Sequence, residues 1–346
     1  MRPYCLLLAS GIAFSVAAGF TPQATDGPYH VIKVTKVGGE GGFDYVYADS
    51  SGRALYVPRG GQTARVDVFN LDTLASAGTI SPTKGVHGAA VDPKSHHGFS
   101  SSAPVAMWDT KTMTLIKTID VQGRPDGILG DPQMGRIYIL SHSSPNVTAI
   151  DANDGSIVGT VDVGGAPEQS VVDGKGHLFV DLENKNGVAV VDTKTLKVTN
   201  TYDLGGKGGG NAGLAIDVRN HVLFVACREP AVMVMIDANT GKYLADLPIG
   251  NGCDGASFNP RTMEAISSQG DGTLTIIKEN NPTTFVVEQT LKTMPGAKTM
   301  TLDTKTGKIY LIAAEYGAPA EAPANGGRPR RGPMVAGSFS IVEVGK

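Results

Sequence analysis

Residues 123–164 read GRPDGILGDPQMGRIYILSHSSPNVTAIDANDGSIVGTVDVG. A Gly/Pro lead-in opens onto a short apolar segment at 127–130, and Asp131-Pro132 turns the chain. A second segment follows at 136–140 and a third at 147–150. Asp151 turns the chain again, and a fourth segment at 157–163 returns to glycine. Four short segments bounded by turn residues spell a small antiparallel sheet, not a helical repeat.

The same unit lies along the chain seven times. An acidic or amide residue ends each first strand, and a bulky residue follows in the second. The pairs are Asp49 and Tyr56, Asp92 and Phe99, Asp131 and Tyr138, Asp173 and Phe179, Asp217 and Phe224, Asn259 and Ile266, and Asp303 and Tyr310. The separation is seven residues in six pairs and six in the fourth. A second marker ends each third strand: Asn70, Asp109, Asp151, Asp192, Asp237 and Lys278, spaced 39 to 45 residues apart. Four strands every forty-odd residues is the period of a β-propeller blade. One blade cannot bury both of its faces, whereas blades packed around an axis can. The expected fold is therefore all-β: a seven-bladed β-propeller of four-stranded antiparallel blades. The seventh unit runs out of chain after its third strand, at 339–342. The unclaimed segment 30–37, HVIKVTKV, has the character of the fourth strands elsewhere and is expected to close the last blade.

The repeat resembles those of the YncE-like, YVTN-repeat propellers. The resemblance rests on Leu55-Tyr56-Val57, Arg136-Ile137-Tyr138-Ile139, Val188-Ala189-Val190-Val191-Asp192-Thr193 and Leu247-Pro248-Ile249-Gly250, and it extends over residues 30 to 346. It implies the propeller fold and a binding role. Propellers also host lyase, lactonase and scaffold functions, so fold alone does not decide function.

The N-terminus reads as a targeting segment. Arg2 precedes an apolar run at 6–18, and cleavage near Ala18-Gly19 or after Ala24 fits. The expected division is a signal peptide at 1–24 and a single propeller at 25–346, exported to the periplasm or secreted, and monomeric. Cys5 lies ahead of the apolar run and is not placed for lipidation. No later run is long enough to span a membrane. Glycine is abundant, 45 of 346 residues, as a turn-rich fold requires, and the net charge is −3. No basic stripe with interleaved aromatics points to nucleic acid. The turn at 205–213, GGKGGGNAG, leads into a strand where a phosphate loop needs a helix N-terminus, so it reads as a connection between blades.

The most informative positions lie five residues before each first-strand marker: Asp44, His87, Asp126, Glu168, Ala212 (with Asn211 beside it), Asp254 and Lys298. First strands are innermost in a propeller, so these positions form a ring at one mouth of the channel. One reading is a polar binding funnel for a small molecule, peptide or protein, with a metal site as a variant. Carboxylates and an amide suit Ca²⁺ or Mg²⁺, and His87 also admits a transition metal. The other reading is a set of solvated residues pairing internally at a hydrated mouth. A second set, Arg59, His142, Asp181, Glu183, Arg228, Glu229, Gln269 and Glu315, lies where the second strands return to the same mouth.

Other features read as structural. Cys227 and Cys253 sit in neighbouring blades at the same mouth, where a disulfide is conceivable, but two separate semi-buried thiols are the preferred reading. Trp108, the only tryptophan, is expected between blades. Ser100-Ser101-Ser102 replaces apolar residues, by local irregularity or by contact with a ligand. His96-His97 falls in a turn. The last blade carries a Pro/Gly/Arg-rich loop at 317–337, with Arg328, Arg330 and Arg331, which reads as a surface loop or as a lid over the mouth. No nucleophile–base pair or HExxH motif is visible. The first expectation is thus an exported, non-enzymatic binding protein using the polar mouth. The alternatives are a metal-assisted lactonase or lyase, with Glu168, Asn211, Asp254 and Asp44 as ligands and His87 as base, and a protein-interaction scaffold.

Overall fold

A computed structural model describes residues 25–318 and 332–346. The proposed signal segment and the arginines at 328, 330 and 331 lie outside the described residues. Seven four-stranded antiparallel sheets follow one another along the chain, and there is no helix among the described residues. The unit at 123–164 becomes the strands Ile128–Asp131, Arg136–Ser141, Asn146–Asp151 and Ile157–Asp162, paired in that order.

The repeated acidic markers have a local cause. Each first-strand marker folds its carboxylate or amide back onto backbone N–H groups of the turn that follows. Asp49 accepts from Ser51 and Gly52, Asp131 from Gln133 and Met134, and Asp303 from Lys305. Asp92, Asp173, Asp217 and Asn259 do the same in their own blades. These Asx-turns satisfy donors that the hairpin leaves unpaired. Third-strand markers act alike at Asn70, Asp109, Asp151, Asp192 and Asp237. Blade six departs from the expectation. Its third strand runs past Lys278 as Thr273–Asn281, and Asn281 caps the turn by accepting from Thr283. The turn residue has moved three positions, and both outer strands of that blade are nine residues long.

Alternation along the second strands divides the core among the blade interfaces. Leu55 and Val57 pack toward blade seven, while Tyr56 between them packs toward blade two. Ile137 and Ile139 face blade two, and Tyr138 and Leu140 face blade four. Seven apolar clusters result, each between neighbouring blades. Fully burying one such side chain is worth about 1.5–3 kcal/mol. Trp108 fills the interface of blades one and two, 5.9 Å from the Tyr56 ring. Gly98 stands opposite it in the ladder, where a Cβ would come within 2.2 Å of the indole. The three serines of that blade are buried and spent locally. Ser100 and Ser102 share a hydrogen bond of 2.7 Å, and Ser101 accepts from Gly88 N–H at 2.8 Å.

The ring closes as the sequence suggests. Strand His30–Lys36 pairs antiparallel with Ser340–Gly345 as the outer strand of blade seven. Tyr29, just ahead of it, is clamped by Gln289 of blade six, which accepts from Tyr29 N–H at 2.9 Å and donates to its carbonyl at 2.8 Å. Fully buried Glu264 then ties both ends of the chain, accepting from the Tyr29 hydroxyl at 2.5 Å and from the Lys346 ammonium at 2.7 Å.

Gln289→Ala leaves both backbone groups of Tyr29 unpaired and is expected to cost about 2 kcal/mol, read as a lower urea midpoint at unchanged slope. A pH effect is expected at Glu279, which burial, with Asp217 close by, pushes up to about 7. A folded-state value above the unfolded one means that the native protein binds more protons between them, so this group destabilises increasingly as pH rises from the unfolded value through about 7. Glu279→Gln should therefore raise the thermal midpoint at pH 8 and change it little at pH 4.

Candidate functional site

Six of the seven ring residues meet at one mouth. His87 Nδ1 lies 2.9 Å from Asp44 and 3.2 Å from Asp126. Lys298 pairs with Asp254 and approaches Asp44 at 4.0 Å. Three residues from the ends of second strands complete the circuit. Arg228 bridges Glu183 and Asp254. His142 Nε2 lies 2.7 Å from Glu183 and 3.5 Å from Glu168. Signs alternate around the mouth except at one junction, where Asp126 acts directly on Glu168, with His142 and Arg124 also acting on Asp126.

Asn211 does not join the ring. The first strand of blade five carries a bulge between Asn211 and Gly213, and a bulge re-aims the side chains around it. The Asn211 amide is fully buried, donates to Gly187 O at 2.9 Å and accepts from the Cys227 thiol. Ala212 at the ring position leaves a gap, and Arg228 of the same blade reaches across to the carboxylates on either side. An alanine in an otherwise polar ring, with an arginine ending the next strand, is the signal that sequence reasoning could have used.

The rest of the second set is dispersed. Arg59 is fully buried, stacked 3.6 Å over the Phe339 ring and donating to Gly38 O at 3.1 Å. Gln269 is buried against Ser267 and Thr273. Glu315 pairs with Lys36 on the surface at 3.7 Å. Asp181 lies fully buried behind Glu183, accepting from Gln169 N–H at 2.6 Å. Cys227 and Cys253 are free, buried thiols. Burial pushes Cys227 up to about 12, which makes both an unlikely nucleophile and a poor metal ligand of it at neutral pH.

Burial and neighbouring charge shape the ring. Glu168 is pushed up to about 9 by burial, with Asp181, Asp126, Asp254 and Glu183 adding to it. Burial holds Asp126 above the usual carboxylate range and pushes Asp181 up to about 7. The hydrogen bond to Asp44 raises His87. Burial opposes charge on Lys298 and Arg228, but the adjacent carboxylates outweigh it and hold both more firmly protonated. Two sets of groups converge closely enough to share an ion, Asp44–His87–Asp126 and His142–Glu168–Glu183, the ligand atoms of each lying within 4.8 Å of one another.

Beneath the ring the channel is crossed. The Tyr45 hydroxyl of blade one donates to Glu168 O of blade four at 2.9 Å. Gln169, at a bulge in blade four, accepts from Leu214 N–H at 2.9 Å and Ala256 N–H at 3.1 Å and donates to Ala256 O at 3.1 Å. Below lies a cavity of about 540 Å³, walled by first strands and by Tyr45, Glu168 and Gln169. Asp44, His87, Asp126, Asp254 and Lys298 do not line it. Nothing in the repeat pattern marks Tyr45 or Gln169, because their partners lie across the axis.

Removing Arg228 strips Glu183 and the buried Asp254 of their shared cation. Arg228→Ala is expected to cost about 3 kcal/mol in urea unfolding, and Arg228→Lys, a single ammonium, to recover only part of it.

No protein-family profile and no curated protein sequence matches the chain. Among solved structures the chain is similar to one in "Crystal Structure of Mitotic Checkpoint Complex", with a TM-score of 0.71 and 13% identity over 90% of this chain and 95% of that one. At that identity the likeness shows the fold alone: the chain is a seven-bladed β-propeller.

Proposed function

We propose that this is an exported, non-enzymatic binding protein of the YncE-like kind, whose charged mouth holds a cationic side chain of a peptide or protein partner. The observation that carries the reading is the imbalance of the ring. Five acidic side chains, Asp44, Asp126, Glu168, Glu183 and Asp254, share two permanent cations paired into the ring, Arg228 and Lys298, and this crowding adds to burial in lifting Glu168 to about 9, while only His87, His142 and Arg124 bring positive charge toward Asp126. An ammonium or guanidinium seated beside Asp126 and Glu168 would offset the crowding of acidic groups that lifts Glu168. Burial of the ring amplifies such a contact relative to open water. Propellers commonly serve as protein-interaction scaffolds, and the base of the loop at 317–337 stands at the same end as the ring, with Gly317 N–H donating to Pro333 O at 2.9 Å.

The metal-assisted lactonase or lyase is the second reading, favoured by the two convergent triads. Its expected quartet is not assembled. Asn211 is turned away, and Asp254 is engaged by Arg228 and Lys298.

Fluorescence anisotropy with short labelled peptides tests the first reading. Lys/Arg-bearing peptides should bind in metal-free buffer, weaken as salt is raised, and lose at least about tenfold in affinity in Asp126→Asn. Asp154→Asn, in an exposed turn, should leave binding unchanged. Equal binding of basic and acidic peptides, or indifference to Asp126→Asn, would refute it.

A further inference from the structure

We infer that the His142–Glu168–Glu183 corner of the mouth is a binding site for one divalent cation of the zinc or manganese class. The inference rests on reading the mouth as the protein's binding face. His142 Nε2 stands 2.7 Å from Glu183 Oε2 and 3.5 Å from Glu168 Oε2, and the three atoms lie within 4.8 Å of one another. Small movements of these side chains place all three around one ion at ordinary ligand distances of about 2.0–2.2 Å.

A second observation comes from behind the triad. Asp181 is 0% exposed, and its Oδ2 has no hydrogen-bond partner among the described residues. A buried carboxylate oxygen without a partner is costly, and this one stands two residues before Glu183, on the side chain that accepts from the Gln169 N–H next to Glu168. An ion between Glu168 and Glu183 supplies the missing positive charge.

The support around the ligands fits as well. Arg228 occupies the other oxygen of Glu183, Oε1, which fixes the carboxylate and leaves Oε2 for the ion. Outer partners of this kind orient ligating carboxylates in metal sites. The other triad is less suited. Lys298 stands 4.0 Å from Asp44, and the charge of Arg124 is felt at both His87 and Asp126. An imidazole nitrogen with two carboxylates is a donor set for Zn²⁺ or Mn²⁺ more than for Ca²⁺ or Mg²⁺, whose ligands are oxygens.

The test is calorimetric titration of the chelator-stripped protein with ZnCl₂, MnCl₂, CaCl₂ and MgCl₂. Zinc or manganese should bind one ion per chain. Glu168→Gln and His142→Ala should each weaken it at least about tenfold, and the His96→Ala/His97→Ala control should leave it unchanged. Preferential broadening of the His142 ring resonances by Mn²⁺ gives the same answer without any substitution. The site is refuted if neither zinc nor manganese binds one-to-one, if both ligand variants bind as wild type does, or if the His96/His97 control abolishes binding. Because the peptide assay is run without metal, loss of the metal site leaves the proposed partner binding standing, and the reverse holds too.

Discussion

Closure of the ring by His30–Lys36 against Ser340–Gly345 is the constraint on which the other sheets depend. Each of the seven apolar clusters belongs to two blades, so no blade completes its core alone. Without the closing strand, blade seven would present an open edge, and its interfaces with blades six and one would lose their outer cover. The fastening is correspondingly dense. Gln289 holds the backbone of Tyr29, and Glu264 gathers the Tyr29 hydroxyl and the Lys346 ammonium at one point. Residues at the two ends of the described chain are thereby made structural neighbours.

The same ring geometry builds the mouth. Positions some forty residues apart in sequence fall on one circle, so the charged side chains meet without any local motif. Every blade but the fifth brings its own first-strand residue, and blades three, four and five add one from the second strand. Three bulges, in the first strands of blades four, five and six, then break the symmetry. They turn Asn211 inward, bring Gln169 into the axis and leave the Ala212 position to be bridged by Arg228. Function on a repeat scaffold arises where the repeat is broken, and here the breaks lie in consecutive blades.

Much of this was legible in the sequence because its cause is local. Aspartates that cap their own turns mark the blades, and a bulky residue seven positions later marks the second strand. Lys278 misled because blade six prolongs its hairpin and caps it at Asn281 instead. Asp44, His87, Asp126, Glu168, Asp254 and Lys298 could be placed on a ring by counting. That they would pair internally was legible from the mix of signs, whereas the entry of Arg228 and His142 into the circuit was not, since it depends on how far each side chain reaches. Asn211 was misplaced because a bulge adds a residue without announcing itself in the pattern. Tyr45 and Gln169 were not anticipated, because periodicity describes neighbours along the ring and their partners stand across it.

The tyrosine strut has a consequence of its own. By joining blade one to blade four over the axis, with Gln169 beside it, it converts what would be a bore through the disc into two back-to-back cups. One cup is ionic, and the other is lined by the first strands, where Val46, Ile128, Leu129 and Met300 stand with Asp49, Ser170 and Thr301. The two faces of the disc are thus chemically distinct, and a phenol ring and an amide stand between them.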